Sequence, residues 1–462
     1  MPGLKKRIWG WMSFDWATQP FYTLGLTFIF GPYFADVAKE LYLSEGMTPV
    51  AAKAQAQSIW SLGQTFAGLF IAFAGPILGA YADSTGRRMP WLIGFSVVYV
   101  IAAWMLWYMV PDGSALWFSL IAFSVGFVAA EFALIFTNAI LPSLGTKEEI
   151  GRISGNGASL GYWGGVLSLF IMLLFFFEAE GGKTVIGLSP PFGLDAAARE
   201  GTRIVGPFIA VWFVVFMIPY FLWVREKPVP NRQGGVSQAM RDLKASLVSV
   251  MQRPSLFAFL SSSMFYRDSL NALYAFGGVY AVLVLDWTLM NIAIFGIVGA
   301  ITAAIATMIG GIFDSRFGPK PVIVFNIFVL IAVCTVIVGM TRSQILGVPL
   351  ADGSSLPDIV FYICGAAIGG SGGALYAASR SMMVRHTHPE RPTEAFGLFA
   401  LSGKATAFLA PALIGLFTWL LQSPRLGIIP LIFLFLLALV LLRWVRAEGD
   451  KDEWSASPLP AP

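Results

Sequence analysis

Five ionisable side chains lie inside long apolar stretches of the sequence: Asp15, Glu131, Arg267, Asp268 and Lys404. A charge at the centre of a lipid bilayer costs about 2.5–3.5 kcal/mol on insertion scales, so each one needs a structural or functional reason if these stretches cross a membrane. Charges of both signs can bind an ionic solute, carry protons or pair with each other between helices. These residues are therefore the first candidates for a functional site.

Each of the five also has a simpler structural interpretation. Asp15 can cap the start of the first helix, where a carboxylate complements the helix dipole. Glu131 has no Lys or Arg near it in sequence, so it either pairs with a basic side chain of another helix or carries a proton. Arg267 and Asp268 are consecutive and point about 100° apart on a helix, so they need not pair with each other. Lys404 can form an ion pair between helices or bind a substrate carboxylate.

The composition indicates that most of the chain is dissolved in lipid. Of its 462 residues, 57% are hydrophobic and 12% are charged, whereas soluble domains contain about 25% charged residues. A soluble core also stops growing beyond about 250–300 residues. The 39 Phe and 15 Trp suit a bilayer and its interfaces. The sequence therefore predicts an all-α membrane protein.

Twelve apolar stretches approach the length of about 20 residues that a membrane span needs. With the N-terminus in the cytoplasm, 21 of the 30 Lys and Arg belong to predicted cytoplasmic segments, 7 belong to outer segments, and Arg267 and Lys404 lie deep within spans. This count assigns Arg203, Arg380, Arg443 and Arg446, at the ends of spans, to the adjoining segments. This bias follows the positive-inside rule and supports an even number of spans. The predicted spans are 13–37, 58–82, 91–110, 115–141, 157–177, 203–224, 256–285, 288–313, 321–340, 358–380, 395–421 and 427–446.

The longest predicted cytoplasmic connector divides the spans into two sets of six. This basic linker covers residues 225–255 and contains six of the Lys and Arg residues. We therefore predict an N-terminal six-helix half (1–224), the linker, a C-terminal six-helix half (256–446) and a cytoplasmic tail (447–462).

A short motif occurs after the second span and again after the eighth, six spans later. In both copies a glycine precedes an aspartate by four residues, and another glycine and a basic residue follow. Glycine allows a neighbouring helix to approach, aspartate can bind helix-end amides, and arginine can bind carboxylates or helix C-termini. A tight turn with inside-positive charge is the simpler alternative. The residues are Gly79, Asp83, Gly86, Arg87 and Arg88 in the first copy, and Gly310 and Asp314 in the second.

Together, the twelve spans, the basic linker and the repeated motif resemble the major facilitator superfamily. A narrower resemblance is to its vacuole-effluxer branch, which is named for a fungal autophagy-related amino-acid exporter. The chain departs from this branch at Ser269 and Ala395. The matching segments are 14–17, 137–142, 153–165, 266–269, 379–381, 394–398 and 403–404, with Pro411.

The resemblance implies roles for several residues. In the superfamily, the first, fourth, seventh and tenth helices line the central cavity, so four of the five buried charges fall on cavity helices. The motif acts there as a cytoplasmic latch, and we add Arg380 and Glu394 to these gating residues. The run Gly369 to Gly373 in the tenth span is predicted to be soft or closely packed, because glycine costs about 1 kcal/mol in a helix. Tyr376, one turn later, can present its hydroxyl to a substrate.

The sequence contains no P-loop, nucleophile elbow or zinc-peptidase motif, which argues against an enzyme or a nucleotide-driven pump. The basic residues are scattered, so we expect no nucleic-acid partner. Cys334 and Cys364 lack metal-ligand spacing, and His386 and His388 are interpreted as solvated loop residues. We expect no cofactor and no metal.

These observations predict a secondary transporter that moves a small polar organic solute by alternating access. The resemblance implies an amino acid, with a cation partner in Arg267 or Lys404 and an anion partner in Glu131 or Asp268. Transport can be coupled to protons or to another ion, and the sequence does not distinguish between them. The alternatives are a transporter of an amphipathic lipid or sugar conjugate, and a membrane scaffold or receptor that does not transport. We expect a monomer in a bacterial inner membrane with both termini in the cytoplasm.

Overall fold

The computed structural model describes residues 3–178, 182–225, 250–287, 289–388, 390–423 and 425–450, with isolated positions 241, 244 and 248. Most of the predicted linker 225–255 and of the predicted tail 447–462 therefore lies outside the described residues.

Helices form most of the first part of the chain. A π-helical segment, Phe21–Phe28, joins the first two helices, and a second one, Met172–Phe176, follows the sixth. The helices are α1 (Leu4–Pro20), α2 (Phe30–Ser44), α3 (Pro49–Thr85), α4 (Met89–Met105), α5 (Leu116–Asn138), α6 (Lys147–Ile171), α7 (Glu200–Arg203) and α8 (Val205–Trp223).

The second part of the chain contains seven described helices and one short hairpin. Strands β1 (Gln344–Ile345) and β2 (Val348–Pro349) are antiparallel, with Gln344 opposite Pro349. Five of the helices have proline in their first two positions, where its missing N–H costs no hydrogen bond. The helices are α9 (Pro254–Leu285), α10 (Leu289–Phe317), α11 (Pro319–Val338), α12 (Leu356–His386), α13 (Pro392–Ala405), α14 (Leu409–Leu421) and α15 (Ile429–Leu442).

The surface of these helices suits lipid. Large apolar side chains such as Phe73, Phe325 and Phe433 are 70%, 66% and 63% exposed, and in water such surface would drive aggregation. The described residues include nine helical segments that are long and apolar enough to cross a membrane, and a shorter apolar helix at Leu426–Leu442. The number of twelve spans stays a prediction.

The contacts divide the chain into two compact units. The first contains Met1–Ala74, Gly86–Thr137 and Leu160–Asn231, and the second contains Gly75–Thr85, Asn138–Ser159 and Arg232–Pro462. The second unit thus includes two short segments that the sequence assigns to the N-terminal half. The halves 1–224 and 256–446 were predicted from the six-span repeat in the sequence, and they stay a prediction. The two units are defined differently, by which residues contact each other.

Candidate substrate and gating sites

In the first unit, Glu131 contacts the π-helical segment. Glu131 is half-buried in α5, and the Tyr22 hydroxyl donates a hydrogen bond to Glu131 Oε1 at 3.3 Å. π-Helical turns within helices occur often at functional sites. The sequence analysis missed Tyr22. The available signal was Pro20, which has no N–H and disturbs a regular helix at this position.

The predicted capping role of Asp15 is wrong. Helix α1 begins at Leu4, so Asp15 lies in the helix interior, where it is buried. Gly161 of α6 packs against it, since a Cβ at Gly161 would lie 3.1 Å from the Asp15 carbonyl oxygen. A role of Asp15 in substrate binding or coupling stays a prediction.

In the second unit, the predicted eleventh span is broken. Helix α13 ends at Ala405 and α14 begins at Leu409. Within the break, the Leu409 N–H donates to the Thr406 carbonyl at 2.8 Å. A break of this kind creates a helix C-terminus and a helix N-terminus, each with backbone groups that need partners.

Arg267 and Asp268 of α9 contact different sides of this break. Asp268 is buried, and its Oδ2 accepts a hydrogen bond of 2.9 Å from the Ala410 N–H in the first turn of α14. Arg267 Nη1 donates to the Phe399 carbonyl of α13 at 2.9 Å, and its guanidinium carbon lies 4.5 Å from the Phe399 ring centre. The two side chains diverge, as their 100° separation predicts. Each one fixes a different half of the broken helix.

The charges at the break match the helix dipoles. The carboxylate of Asp268 lies at the N-terminus of α14, while Lys404 lies in the last turn of α13. Both placements are favourable. A Cβ at Gly403 would overlap the guanidinium of Arg267, so a larger residue at this position would displace that side chain. Arg267 and Asp268 thus contact the two helices that meet at the break, and Lys404 lies in the last turn of the first of them.

Tyr376 and Arg380 lie one turn apart on α12. The Arg380 guanidinium carbon lies 5.2 Å from the Tyr376 ring centre. Arg380 is fully buried and donates to the Ser154 carbonyl at 2.7 Å, to Ser154 Oγ at 2.9 Å and to Asn138 Oδ1 at 3.4 Å. Arg380 therefore ties α12 to the ends of α5 and α6.

The glycine run in α12 is closely packed, which was one of the two predicted outcomes. Helix α12 continues through Gly369 to Gly373, all of which are buried. A Cβ at Gly369 would overlap the carbonyl oxygen of Gly299 in α10. The helix break lies instead between α13 and α14. Pro411, close to this break, was the sequence signal that could have indicated it.

The first copy of the repeated motif caps α13. Asp83 is buried, and it accepts hydrogen bonds from Thr393 Oγ1 at 2.7 Å and from the Glu394 N–H at 2.9 Å. Gly79 makes this approach possible, since a Cβ there would lie 2.7 Å from the Thr393 carbonyl oxygen. Gly86 has a φ of 65°, which favours glycine. The predicted contact between Asp83 and helix-end amides is confirmed.

The other charged residues of the predicted gating set differ in exposure. Arg87 is exposed and Arg88 is half-buried, whereas Glu394 is buried beside Arg391, with 4.0 Å between Arg391 Nη1 and Glu394 Oε2. Glu394 thus lies next to the Asp83 cap, and its gating role stays a prediction.

The second copy of the motif contacts α6 near its start. Asp314 is buried and accepts a hydrogen bond of 3.2 Å from Ser381 Oγ, and a Cβ at Gly151 would overlap its carboxyl group. Asp314 Oδ2 has no hydrogen-bond partner among the described residues. Gly310 packs against Ala374, since a Cβ at Gly310 would lie 3.0 Å from the Ala374 Cβ. Each copy of the motif therefore meets the first turns of a helix that the sequence assigns to the other half.

The chain after α15 also lies against these helix ends. Glu448 accepts hydrogen bonds from Lys147 Nζ at 2.8 Å and Arg385 Nη1 at 3.1 Å, and Lys320 donates to the Val445 carbonyl at 2.7 Å. The hydrogen bond from Lys147, with the nearby charge of Arg385, lowers the pKa of the Glu448 carboxyl below its usual value. This segment thus links α6, α11 and α12.

We expect Glu448→Gln to lower the free energy of unfolding by less than about 1 kcal/mol at pH 7, because the Glu448 side chain is 66% exposed and water screens the pairs. A carboxyl with a lowered folded pKa stabilises above its unfolded pKa of about 4.3 and loses this contribution as the pH falls through the folded value. Thermal unfolding of the detergent-purified wild type and Glu448→Gln across a pH series measures this loss of stability, with Glu45→Gln as the exposed control. A pH-independent loss would contradict the assignment.

The interpretation of His386 as a solvated loop residue is wrong. His386 is buried at the end of α12, where Nδ1 lies 3.0 Å from the Met382 carbonyl and Nε2 lies 2.8 Å from Ser255 Oγ. Ser255 Oγ also accepts a hydrogen bond from the Arg446 N–H at 2.9 Å. His386 therefore has a packing role that periodicity alone does not reveal. Across the described ranges, no group of three or more His, Cys, Asp and Glu side chains is arranged to hold a metal ion.

The sequence matches the profile of one protein family over nearly its whole length. The family is described as "Vacuole effluxer Atg22 like", and the match covers residues 4–455. The chain belongs to this family. The Atg22-like chain is 25% identical over 447 residues to YxiO of Bacillus subtilis, an uncharacterized MFS-type transporter, with 96% of this chain and 95% of YxiO covered.

The fungal relatives are longer. Autophagy-related protein 22 of Cryptococcus neoformans is 23% identical over 319 residues, which cover 65% of the Atg22-like chain and 51% of the fungal protein. The match thus spans about half the length of that relative.

Solved structures share the fold of the Atg22-like chain. The E. coli fucose:proton symporter FucP superimposes with a TM-score of 0.65 at 14% identity, covering 95% of this chain and 98% of FucP. The proton:xylose symporter XylE gives a TM-score of 0.66 at 12% identity, covering 98% of both chains. At these identities the likeness shows the fold alone. The predicted fold class and family resemblance are confirmed: the Atg22-like chain is a multi-pass membrane transporter of the major facilitator superfamily.

Proposed function

We propose that the Atg22-like chain is a secondary transporter for a small zwitterionic organic solute, such as an amino acid, and works by alternating access. The observation that carries the proposal is the arrangement of Arg267 and Asp268 at the α13–α14 break. A cation and an anion lie on adjacent residues, yet they bind two separate helices rather than each other.

The chemistry of the two side chains fits a zwitterion. A guanidinium presents five N–H donors in a planar fork that matches a carboxylate. A carboxylate such as that of Asp268 can accept hydrogen bonds from an ammonium group. Both side chains already bind backbone groups of the broken helix, so a bound solute competes with those backbone groups.

This competition supplies a link between binding and conformational change. A ligand shifts a conformational equilibrium only by the difference in its affinity for the two states. A carboxylate at Arg267 replaces the Phe399 carbonyl, and an ammonium at Asp268 replaces the Ala410 N–H. Binding therefore favours the state in which α13 and α14 have moved away from α9.

We further propose that protons couple to transport through Glu131 or Asp268. Asp and Glu side chains inside membrane spans serve as proton carriers in pumps and transporters. Tyr22 is a hydrogen-bonding partner that can serve Glu131 in both protonation states, because its hydroxyl donates and accepts. Transport without chemical conversion is proposed, since the relatives are transporters.

A ligand screen tests the substrate class. Purified protein in detergent is heated with amino acids, sugars, small organic anions and lipids, and its unfolding temperature is recorded. A ligand at 100 times its dissociation constant stabilises the folded state by about 2.7 kcal/mol. Stabilisation by one or a few amino acids supports the proposal. A response restricted to lipids or sugars would favour a different substrate class.

We also propose a bacterial inner-membrane location with both termini and residues 225–255 in the cytoplasm, as the Lys and Arg distribution indicates. In a variant with Cys334 and Cys364 replaced by serine, we expect Gln233→Cys to resist an impermeant thiol reagent in intact cells and Ala196→Cys to react. The reverse pattern would contradict this topology.

A further inference from the structure

A lateral groove between α4 and α8 in the first unit has no role in the proposed transport cycle. It encloses about 760 Å³ and is lined mainly by apolar side chains, including Ile93, Val97, Val214 and Ile218. These four side chains are each 47–52% exposed. Both helices belong to membrane-spanning segments, so the neighbouring solvent is lipid.

Two polar features distinguish this groove from an ordinary lipid-facing surface. Arg225, directly after α8, contributes an exposed guanidinium at one end of the lining. Ser96 lies in the wall and is 5% exposed, and its hydroxyl forms no hydrogen bond within the described part of the chain. Buried hydroxyl groups normally have a partner. The groove therefore has a cation at one end of a long apolar wall, and an unsatisfied hydroxyl buried within that wall.

The length of the wall matches one leaflet of a bilayer. The lining residues of α4 run from Met89 to Ile101, a rise of about 18 Å at 1.5 Å per residue. The hydrocarbon of one leaflet is about 15 Å thick, half of a core of about 30 Å. The groove is long enough for one acyl chain that lies parallel to the helices.

We propose that this groove binds an anionic phospholipid of the leaflet on the Arg225 side, which the sequence predicts to be the cytoplasmic one. The phosphate binds the guanidinium of Arg225, and an acyl chain lies along Ile93, Val97 and Ile218. Basic pockets between transmembrane helices on the cytoplasmic side are suited to anionic head groups.

Lipid-dependent stability tests the proposal. Delipidated full-length protein in detergent is heated with dioleoyl phosphatidylglycerol or with dioleoyl phosphatidylcholine, which carries no net charge. We expect phosphatidylglycerol to raise the unfolding temperature of the wild type by several degrees more than phosphatidylcholine does. Arg225→Gln should abolish this difference. Arg443→Gln, which removes an exposed arginine after α15, should keep it. Equal effects of the two lipids on the wild type, or an unchanged preference in Arg225→Gln, would overturn the proposal.

Two further measurements separate the acyl chain from the head group. Val97→Trp fills the groove from a half-exposed position, and native mass spectrometry should then detect less bound phosphatidylglycerol than in the wild type. Glycerol 3-phosphate, which has no acyl chain, should not stabilise the wild type. Stabilisation by glycerol 3-phosphate as strong as that by phosphatidylglycerol would contradict an acyl-chain site. Unchanged lipid binding by Val97→Trp would also contradict it.

Discussion

Replacing Arg267 by alanine should weaken binding of a carboxylate-bearing substrate by about 10- to 100-fold. A hydrogen bond to a charged group contributes about 1.5–3 kcal/mol, and each 1.4 kcal/mol is a factor of ten in affinity. Arg267→Lys should restore the charge but only part of the affinity, because lysine lacks the planar fork. Isothermal titration of the purified variants with the amino acid identified by the screen measures the change.

Asp268 provides the matched test on the other side of the break. Asp268→Asn keeps an oxygen that can accept the Ala410 N–H, so stability should change little while affinity for the ammonium group falls. Asp268→Ala removes the cap as well, and helix caps contribute about 0.5–2 kcal/mol. If Arg267→Ala and Asp268→Asn both bind the solute like the wild type, the substrate site lies elsewhere.

Asp83→Ala should slow transport by about tenfold or more while the substrate dissociation constant stays within about twofold. The substitution removes two hydrogen bonds to a buried carboxylate at the start of α13. Losing about 2 kcal/mol from one conformational state changes its population about 30-fold. The rate of initial uptake in proteoliposomes and the affinity in detergent are measured on the same preparation.

Asp112→Ala is the matched control for the Asp83 variant. Asp112 is an exposed aspartate in the turn after α4, where it accepts hydrogen bonds from the N–H and hydroxyl of Ser114. Its replacement should leave both the uptake rate and the affinity unchanged. Unimpaired uptake by Asp83→Ala would show that the motif is only a tight turn.

The parts of the fold that depend on composition were predictable. Long apolar stretches and the repeated motif reveal the superfamily, because bilayer thickness sets span length and the motif needs glycine and aspartate at fixed spacing. The sequence predicted that Asp83 binds the end of a helix. The identity of that helix, α13, was not predictable, since pairing between distant helices leaves no local pattern.

Hydropathy did not reveal the irregular backbone inside the spans, and the two sequence signals that could have indicated it, Pro20 and Pro411, were not used. The π-helical segment that presents Tyr22 and the break that separates Ala405 from Leu409 lie in runs as apolar as a regular helix. The hydrophobicity of a stretch indicates whether it dissolves in lipid, but it does not indicate whether its helix is continuous. For the same reason Asp15 was assigned to a helix start that lies eleven residues earlier, at Leu4.

Solute flux into proteoliposomes tests the central claim most directly. Vesicles with wild-type protein are loaded with an unlabelled amino acid from the screen, and entry of the labelled form is followed with Arg267→Ala and Asp83→Ala in parallel. We expect saturable accumulation in the wild type, strongly reduced affinity with Arg267→Ala and slow uptake with Asp83→Ala. Flux no greater than in protein-free vesicles for every zwitterion tested, from protein that still binds the solute, would contradict transport by this chain.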